Sequence, residues 1–442
     1  MPPQNNIANM EIRTFKHPDR AGWESIQQRP ELDMTSLFDT VQTVLNDVKK
    51  NGDEAVRRYG EQFDKVLITD LQASENEINE AASTLPDELK LAIRTACQNI
   101  EKFHASQHFE EIAIETMPGV TCRQKAVPID KVGLYIPGGT APLFSTVLML
   151  AIPALIAGCR EIILCTPPNG EGKVHPAILY AAKVSGVNKI YKAGGIQAIA
   201  AMTYGTETVP KVYKIFGPGN QYVVAAKQLV SLKDVAIDMP AGPSEVEIIA
   251  NDSADPAYIA ADFLSQAEHG ADSQSVLVTT SEALAEAVKK EIAVQLSKLP
   301  RRDFAEKSLS HSSIVILKND DEMIDFTNQY APEHLIIQTV NYREISDRIL
   351  NAGSVFLGPY TPESAGDYAS GTNHTLPTKG YAKMYSGVNL DSFTKKITFQ
   401  EITKEGLKML GPSIEIMAEA EQLTAHKNAV SVRLIPASTT FV

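Results

Sequence analysis

Cysteine and tryptophan are scarce in this chain, with 4 and 1 among 442 residues. The cysteines, Cys97, Cys122, Cys159 and Cys165, form no CxxC pair and have no His-flanked zinc-finger spacing. A disulfide framework and a cysteine zinc module are therefore excluded, and free thiols in a reducing compartment are expected. Any Lys/Arg-rich run is missing as well. With a formal net charge of -13 and a pI near 5.3, the surface repels phosphate backbones and acidic lipid, so neither nucleic acid nor a membrane surface is expected as a partner. The most apolar stretch, Leu143 to Gly158, contains Pro153 and falls short of the roughly 20 residues that span a bilayer. Met1 to Met10 is polar and lacks the charged start and apolar core of a secretory signal, so the expected location is cytoplasmic.

What is present is ordinary globular usage, 43% hydrophobic and 21% charged, on a chain long enough for two or three domains. Residues 1–30 form an arm too poor in apolar residues to fold alone. Ser36 to Lys50 has helical spacing, stopped at Asn51-Gly52, and Pro86 to Gln107 opens with a Pro-Asp start signal. From Lys131 short β-branched runs alternate with helices. Val132 to Ile136, Glu161 to Thr166, Lys189 to Lys192 and Val212 to Phe216 read as strands, with helices between them. A second such series holds strands Val246 to Ala250, Ser275 to Thr280, Ser313 to Leu317, Leu335 to Thr339 and Ser354 to Leu357. These are βαβ patterns, hence two α/β domains with parallel sheets, in tandem or one inserted in the other. Beyond about Tyr385 a small tail follows, helical from Pro412 to Arg433. It is too small for its own core and is expected to pack on another body, such as a second subunit.

Three strands of the first series end in glycine-rich turns: Tyr135 to Gly139, Ala193-Gly194-Gly195, and Phe216-Gly217-Pro218-Gly219-Asn220. In open parallel sheets ligands bind outside the carboxyl ends of the strands, where helix N-termini offer free N–H groups. Tyr135, Gln197 and Asn220 stand beside these turns. Tight βα turns alone are the plainer explanation of any one of them; three together point to a nucleotide or anion edge, although none is GxGxxG.

Proton-transfer and metal candidates lie further on. Asp255-Pro256 starts a helix in which Gln266 and His269 share a face near the negative dipole end, either half a metal site or a C-terminal cap. His104 and His108 have zinc-helix spacing without the HExxH glutamate and read as a solvated face. Glu333-His334, at the entry to an apolar strand, pairs a carboxylate with an imidazole, two bases of different strength, or else is a surface Glu beside a packed His. Asp367 and His374 lie in a loop of small polar residues that exists to place side chains. Glu421 and His426, five apart, share no helix face; they serve one site only if the helix breaks near Thr424, and a solvated amphipathic surface is the plainer reading.

Val132 to Gly139, Ile215 to Asn220, Asp238 to Glu245, Leu264 to His269, Ala331 to His334, Gly371 to Pro377 and Glu421 to His426, in this order, closely resemble the L-histidinol dehydrogenase family. The resemblance implies oxidation of L-histidinol to L-histidine through the aldehyde, with one zinc ion per subunit and two NAD+ consumed, as the last step of histidine biosynthesis. By the same resemblance Gln266, His269, Asp367 and His426 are zinc ligands that also border the substrate. His334 takes protons in the alcohol step and contacts substrate, and Glu333 activates water for the aldehyde step. Ser244, His374 and Glu421 are substrate contacts, and Tyr135, Gln197 and Asn220 are NAD contacts. The fold implied is two Rossmann-like α/β parallel-sheet domains, one inserted in the other. Residues 131–244 are assigned to NAD, 31–130 plus 245–384 to the zinc and catalytic half, and 1–30 and 385–442 to an arm and a helical tail that join an intertwined homodimer. In that dimer Glu421 and His426 complete the neighbouring site. Gln422 departs from the usual family glycine and Asn389 from a usual serine. Rival readings are a related zinc and NAD enzyme for another alcohol, a non-catalytic nucleotide-binding homodimer, and a zinc hydrolase; retention of His374, Glu421, Glu333 and His334, and the glycine-rich edge, argue against each.

Overall fold

The computed structural model describes residues 12–30, 35–138, 142–240 and 242–435. Gly139, the first eleven residues of the arm and residues 436–442 of the tail lie outside the described residues. Two compact units divide the chain, one built from Met1–Gln107 and Ile129–Phe393, the other from His108–Pro128 and Thr394–Val442.

Two parallel sheets organise the first unit. Among the described residues one has six strands, in the order Arg13–Lys16, Ser313–Ile316, Gln274–Thr279, Glu245–Ala250, His334–Gln338, Ser354–Leu357. The other has five, in the order Lys189–Lys192, Glu161–Thr166, Lys131–Tyr135, Lys214–Phe216, Ala236–Ile237. Their inner strands are apolar runs because helices cover both faces; Glu245–Ala250 is buried at every residue. Since Arg13–Lys16 pairs in parallel with Ser313–Ile316, the five-stranded sheet is an insertion within the six-stranded one. Helix Phe144–Ala157 is apolar nearly all round, buried from Ser145 to Ala154, and ends at Gly158 with φ 84°. Among the described residues no helix is long and apolar enough to cross a membrane.

The N-terminal helices go elsewhere than their sequence grouping suggests. Thr35–Tyr59, interrupted at Gly52 with φ 53°, sends Val41, Val44, Leu45 and Val48 into one core with Ile196 and Ile199. Asp87–Ala105 sends Ile93, Ala96 and Ile100 into another with Val147 and Met149. Both clad the five-stranded sheet, which corrects the expectation that 31–130 belongs to the zinc half. The described arm is likewise no free extension: Arg13–Lys16 is an edge strand, and Trp23 and Ile26 enter the core of the six-stranded half. Trp23 packs edge-to-face on Phe326 at 5.4 Å. A few apolar residues suffice there because the rest of the core already exists.

In the second unit Thr394–Ile402, Val120–Pro128 and Ile112–Met117 form an antiparallel sheet, followed by helices Lys404–Ala420 and Thr424–Leu434. The expected tail from residue 385, helical over 412–433, is therefore corrected. Residues up to Phe393 stay with the first unit, a strand comes first, and the helical stretch expected from Pro412 starts earlier, at Lys404, so that Pro412 lies inside it. The helix breaks just before Thr424. Gln422 adopts φ 61°, while Leu423 N donates to Ala418 O at 2.8 Å and Gln422 N to Glu419 O at 3.0 Å, the paired bonds of a Schellman stop.

Candidate active site

Glu333 and His334 stand where strand His334–Gln338 begins, His334 opposite Val246 of the neighbouring strand. They occupy the amino edge of the six-stranded sheet. Helix Pro256–Ala267 runs back to this same edge, bringing Gln266 to its last turn and His269 just beyond it. Helix carbonyls point out here, so the edge favours cations. The glycine turns lie at the carboxyl edge of the five-stranded sheet. A cavity of about 610 Å³ joins the two edges, lined by Pro137, Pro218 and Asn220 from one and by Ser244, His269 and Ser273 from the other.

Around His334 the polar groups converge. Glu333 Oε2 accepts from the Glu245 backbone N–H at 2.9 Å, and His334 Nδ1 lies 3.2 Å from the Glu245 carbonyl. Nδ1 is also 3.6 Å from both Glu333 and Glu363, and Nε2 is 3.6 Å from Asp367 Oδ1. Burial pushes the Glu333 carboxyl up to about 7, against the opposing pull of His334. Burial by itself would lower the His334 imidazole, but Glu363, Glu333 and Asp367 hold it well above its ordinary value. Desolvation raises Glu363 strongly. His374 Nδ1 donates to the Asp367 carbonyl at 2.8 Å, which leaves Nε2 to accept from the Thr146 hydroxyl at 3.0 Å. The sequence pair of Glu and His is thus buried and mutually engaged, which excludes the surface-carboxylate alternative.

His269, Glu363 and Asp367 each bring a ligand atom within 4.8 Å of the others. Gln266 is fully buried, and among the described residues neither its Oε1 nor its Nε2 has a hydrogen-bond partner; the same holds for both Glu363 oxygens and His334 Nε2. Leaving such atoms unpaired costs about 1–3 kcal/mol each, so a group of them at one edge is suited to a ligand. Imidazole, carboxylate and amide oxygen are donors that fit zinc. His426 and Glu421 belong to the second unit, where both are exposed beside the helix break.

At the other edge, two expected cofactor contacts are buried and internally bonded. The Tyr135 hydroxyl accepts from Gly195 N at 3.0 Å, and Gln197 Nε2 donates to Asp64 Oδ2 at 3.2 Å. Asn220 caps helix Gln221–Ser231, accepting from Tyr222 N and Val223 N, and lines the cavity. Several glycines answer to the protein's own packing: a Cβ on Gly138 or Gly194 would stand 2.6 Å from Pro167, and one on Gly217, at φ 123°, 2.0 Å from the Tyr135 carbonyl. His104 corrects an expectation. It is fully buried rather than solvated, its Nδ1 donating to Ile100 O at 2.9 Å, while His108 is exposed.

Residues 27–434 match the family model described as histidinol dehydrogenase. The chain belongs to the histidinol dehydrogenase family. It is 64% identical over 423 residues to histidinol dehydrogenase of Bacteroides thetaiotaomicron, covering 96% of this chain and 99% of that one. It is 53% identical over 401 residues to histidinol dehydrogenase of Escherichia coli, covering 90% and 92%. The crystal structure of histidinol dehydrogenase from Elizabethkingia anophelis superimposes with a TM-score of 0.94 at 55% identity, covering 96% and 98%.

As a member of the histidinol dehydrogenase family the chain is an oxidoreductase. Glu363 is the site residue that sequence reasoning missed. The stretch read as a loop is corrected at Asp367, which lies on helix Glu363–Tyr368 and there shares a face with Glu363, four residues before it. In this family member the four cysteines are free, and burial pushes the Cys159 thiol up to about 12 and the Cys165 thiol higher, away from nucleophilic thiolate.

Proposed function

We propose that this enzyme oxidises L-histidinol to L-histidine through L-histidinaldehyde, the last step of histidine biosynthesis, using two NAD+ and one zinc ion per subunit. The observation that carries this reading is the cavity shared by Asn220, Ser244 and His269, which lets a hydride acceptor and an alcohol meet beside the Glu333–His334 pair. Gln266, His269 and Asp367, with His426 of the partner subunit, are the zinc ligands, and Ser244, His374 and Glu421 the further substrate contacts. Tyr135, Gln197 and Asn220 serve NAD+. The active form is a homodimer in which Glu421 and His426, carried by the second unit, complete the neighbouring site, and free thiols favour the cytoplasm.

A bound zinc ion would orient the imidazole and amine of the substrate, favour the deprotonated alcohol, and supply beside Asp367 and Glu363 the positive charge that otherwise falls to protonated His334. In the first oxidation His334 takes the hydroxyl proton while the carbinol hydride passes to NAD+. In the second, Glu333 takes a proton from the water that adds to the aldehyde carbon. The hydride of the hydrate then goes to a second NAD+, so four electrons leave in all. A carboxyl held near 7 suits a base working at neutral pH.

The test mixes zinc-loaded protein with L-histidinol and NAD+ and follows NADH absorbance. Two NADH per histidinol are expected, and Glu333→Gln is expected to slow the second oxidation by about 10²–10⁴, yielding one NADH with aldehyde accumulating. No turnover, or one NADH per histidinol in the unmodified protein, would refute the assignment.

A further inference from the structure

Glu245 is tied to both members of the catalytic pair through its main chain. Its N–H donates to Glu333 Oε2 at 2.9 Å and its carbonyl faces His334 Nδ1 at 3.2 Å. Its side chain, 2% exposed, turns instead to Arg29. The guanidinium donates to both carboxylate oxygens, with Nη2 to Oε1 at 3.0 Å and Nε to Oε2. The same group donates to the Tyr330 carbonyl at 2.8 Å and lies 3.9 Å over the Tyr330 ring. The Tyr330 hydroxyl in turn donates to Gln274 Oε1 at 2.7 Å. Tyr330 leads into Ala331, whose φ of 56° is left-handed for a residue with a Cβ, and then through Pro332 to Glu333. One guanidinium thus holds both the strand that aligns the catalytic pair and the strained turn that delivers it.

We propose that Arg29 and Glu245 are positioning residues for the proposed reaction, a clamp that keeps Glu333 and His334 in register with each other. This rests on the acid–base reading of those two residues. Stability alone is a weak reason for such a pair, because the desolvation of a buried ion pair offsets much of its attraction and an apolar pair of similar volume often serves as well. Geometry is a stronger one: the planar fork of arginine fixes a carboxylate in two bonds and stacks on an aromatic face, which a lysine cannot do. Acid–base groups also lose rate steeply when displaced by a fraction of an ångström. The arm's Arg29, outside both α/β series, thereby becomes part of the reaction's support.

The test compares Arg29→Lys, Arg29→Met, Glu245→Gln and the double variant Arg29→Met/Glu245→Gln, as zinc-loaded protein, starting from histidinol and separately from histidinaldehyde. Glu333→Gln and His334→Ala serve as references, histidinol affinity is read by calorimetry, and the folded fraction by circular dichroism. Expected are a kcat loss of about tenfold or more in both oxidations, KM and affinity within about threefold, and a double variant no slower than the slower single one. Arg29→Lys should fall between. Wild-type kcat in Arg29→Met or Glu245→Gln, additive losses in the double variant, or losses that merely track the folded fraction would overturn the clamp. If Arg29→Met does not fold, Arg29→Lys and Glu245→Gln decide, wild-type kcat in either overturning it. Full activity in Glu333→Gln and His334→Ala would instead refute the acid–base reading itself. If His334→Ala is impaired in the first oxidation and Glu333→Gln in the second while the clamp variants are unimpaired, the clamp alone fails.

Discussion

At the scale of single residues, backbone conformation separates obligatory glycines from replaceable ones. Gly217 combines φ 123° with a Cβ position 2.0 Å from the Tyr135 carbonyl. Its amide donates to Asp238 Oδ2 at 2.8 Å and its carbonyl accepts from buried Lys227 at 2.8 Å. With both polar groups pinned, the turn cannot shift to admit a methyl. Gly217→Ala is expected to cost about 3 kcal/mol or more by urea unfolding and to raise KM for NAD+. Gln422 is the converse, an exposed side chain at φ 61° in the C′ position of a Schellman stop. Gln422→Gly relieves the left-handed strain but adds chain entropy to the unfolded state, for a net gain of about 0.5 kcal/mol. A loss of more than about 1 kcal/mol in the same measurement would show that the glutamine side chain contributes contacts instead.

At the scale of the element, strand Glu245–Ala250 carries two carboxylates into a sheet interior. Glu245 has Arg29, whereas among the described residues Glu247 accepts only from the Thr327 hydroxyl and its Oε2 is unpartnered. Burial pushes Glu247 up to about 8. A raised carboxyl binds its proton more tightly folded than unfolded, so its stabilising effect is complete below about pH 4.5 and lost as pH rises through 8. Glu247→Gln keeps the bond to Thr327 and removes that titration. Denaturation at several pH values should therefore show a flatter profile from pH 5 to 8 and a variant more stable than the parent above pH 8, by on the order of a few kcal/mol. An unchanged profile would mean that Glu247 is already ionised in the folded protein.

For the whole molecule, the second unit exposes Ile114, Phe399, Ile416, Met417 and Val432, more apolar side chain than a solvated appendage needs. This agrees with a tail that packs on a partner. Mixed His426→Ala and His334→Ala subunits, each inactive alone, are expected to regain about a quarter to a half of the parent activity after exchange, because one of the two sites in a heterodimer is then intact. Verified exchange without recovery would show that Glu421 and His426 do not serve the neighbouring site.

Much of the fold was legible because it is local. Strand and helix periodicity in Glu161–Thr166, Lys189–Lys192 and Pro256–Ala267 appears within a few residues, and the Asp255-Pro256 cap and the pairing of Glu333 with His334 are adjacent in the chain. Strands Arg13–Lys16 and Thr394–Ile402 were not legible, since each is a strand only by pairing with a partner far away in sequence, at Ser313–Ile316 and Val120–Pro128. The site divides in the same way. Sequence alone singled out Glu333, His334, His269 and Asp367 as candidates for the chemistry, because imidazole and carboxylate are properties of side chains. Tertiary structure decided that the acid–base pair lies at an amino edge facing the glycine turns, that Glu363 joins His269 and Asp367, and that Arg29 reaches Glu245. Those are distances between segments, fixed by how two sheets pack and by nothing that neighbouring residues share.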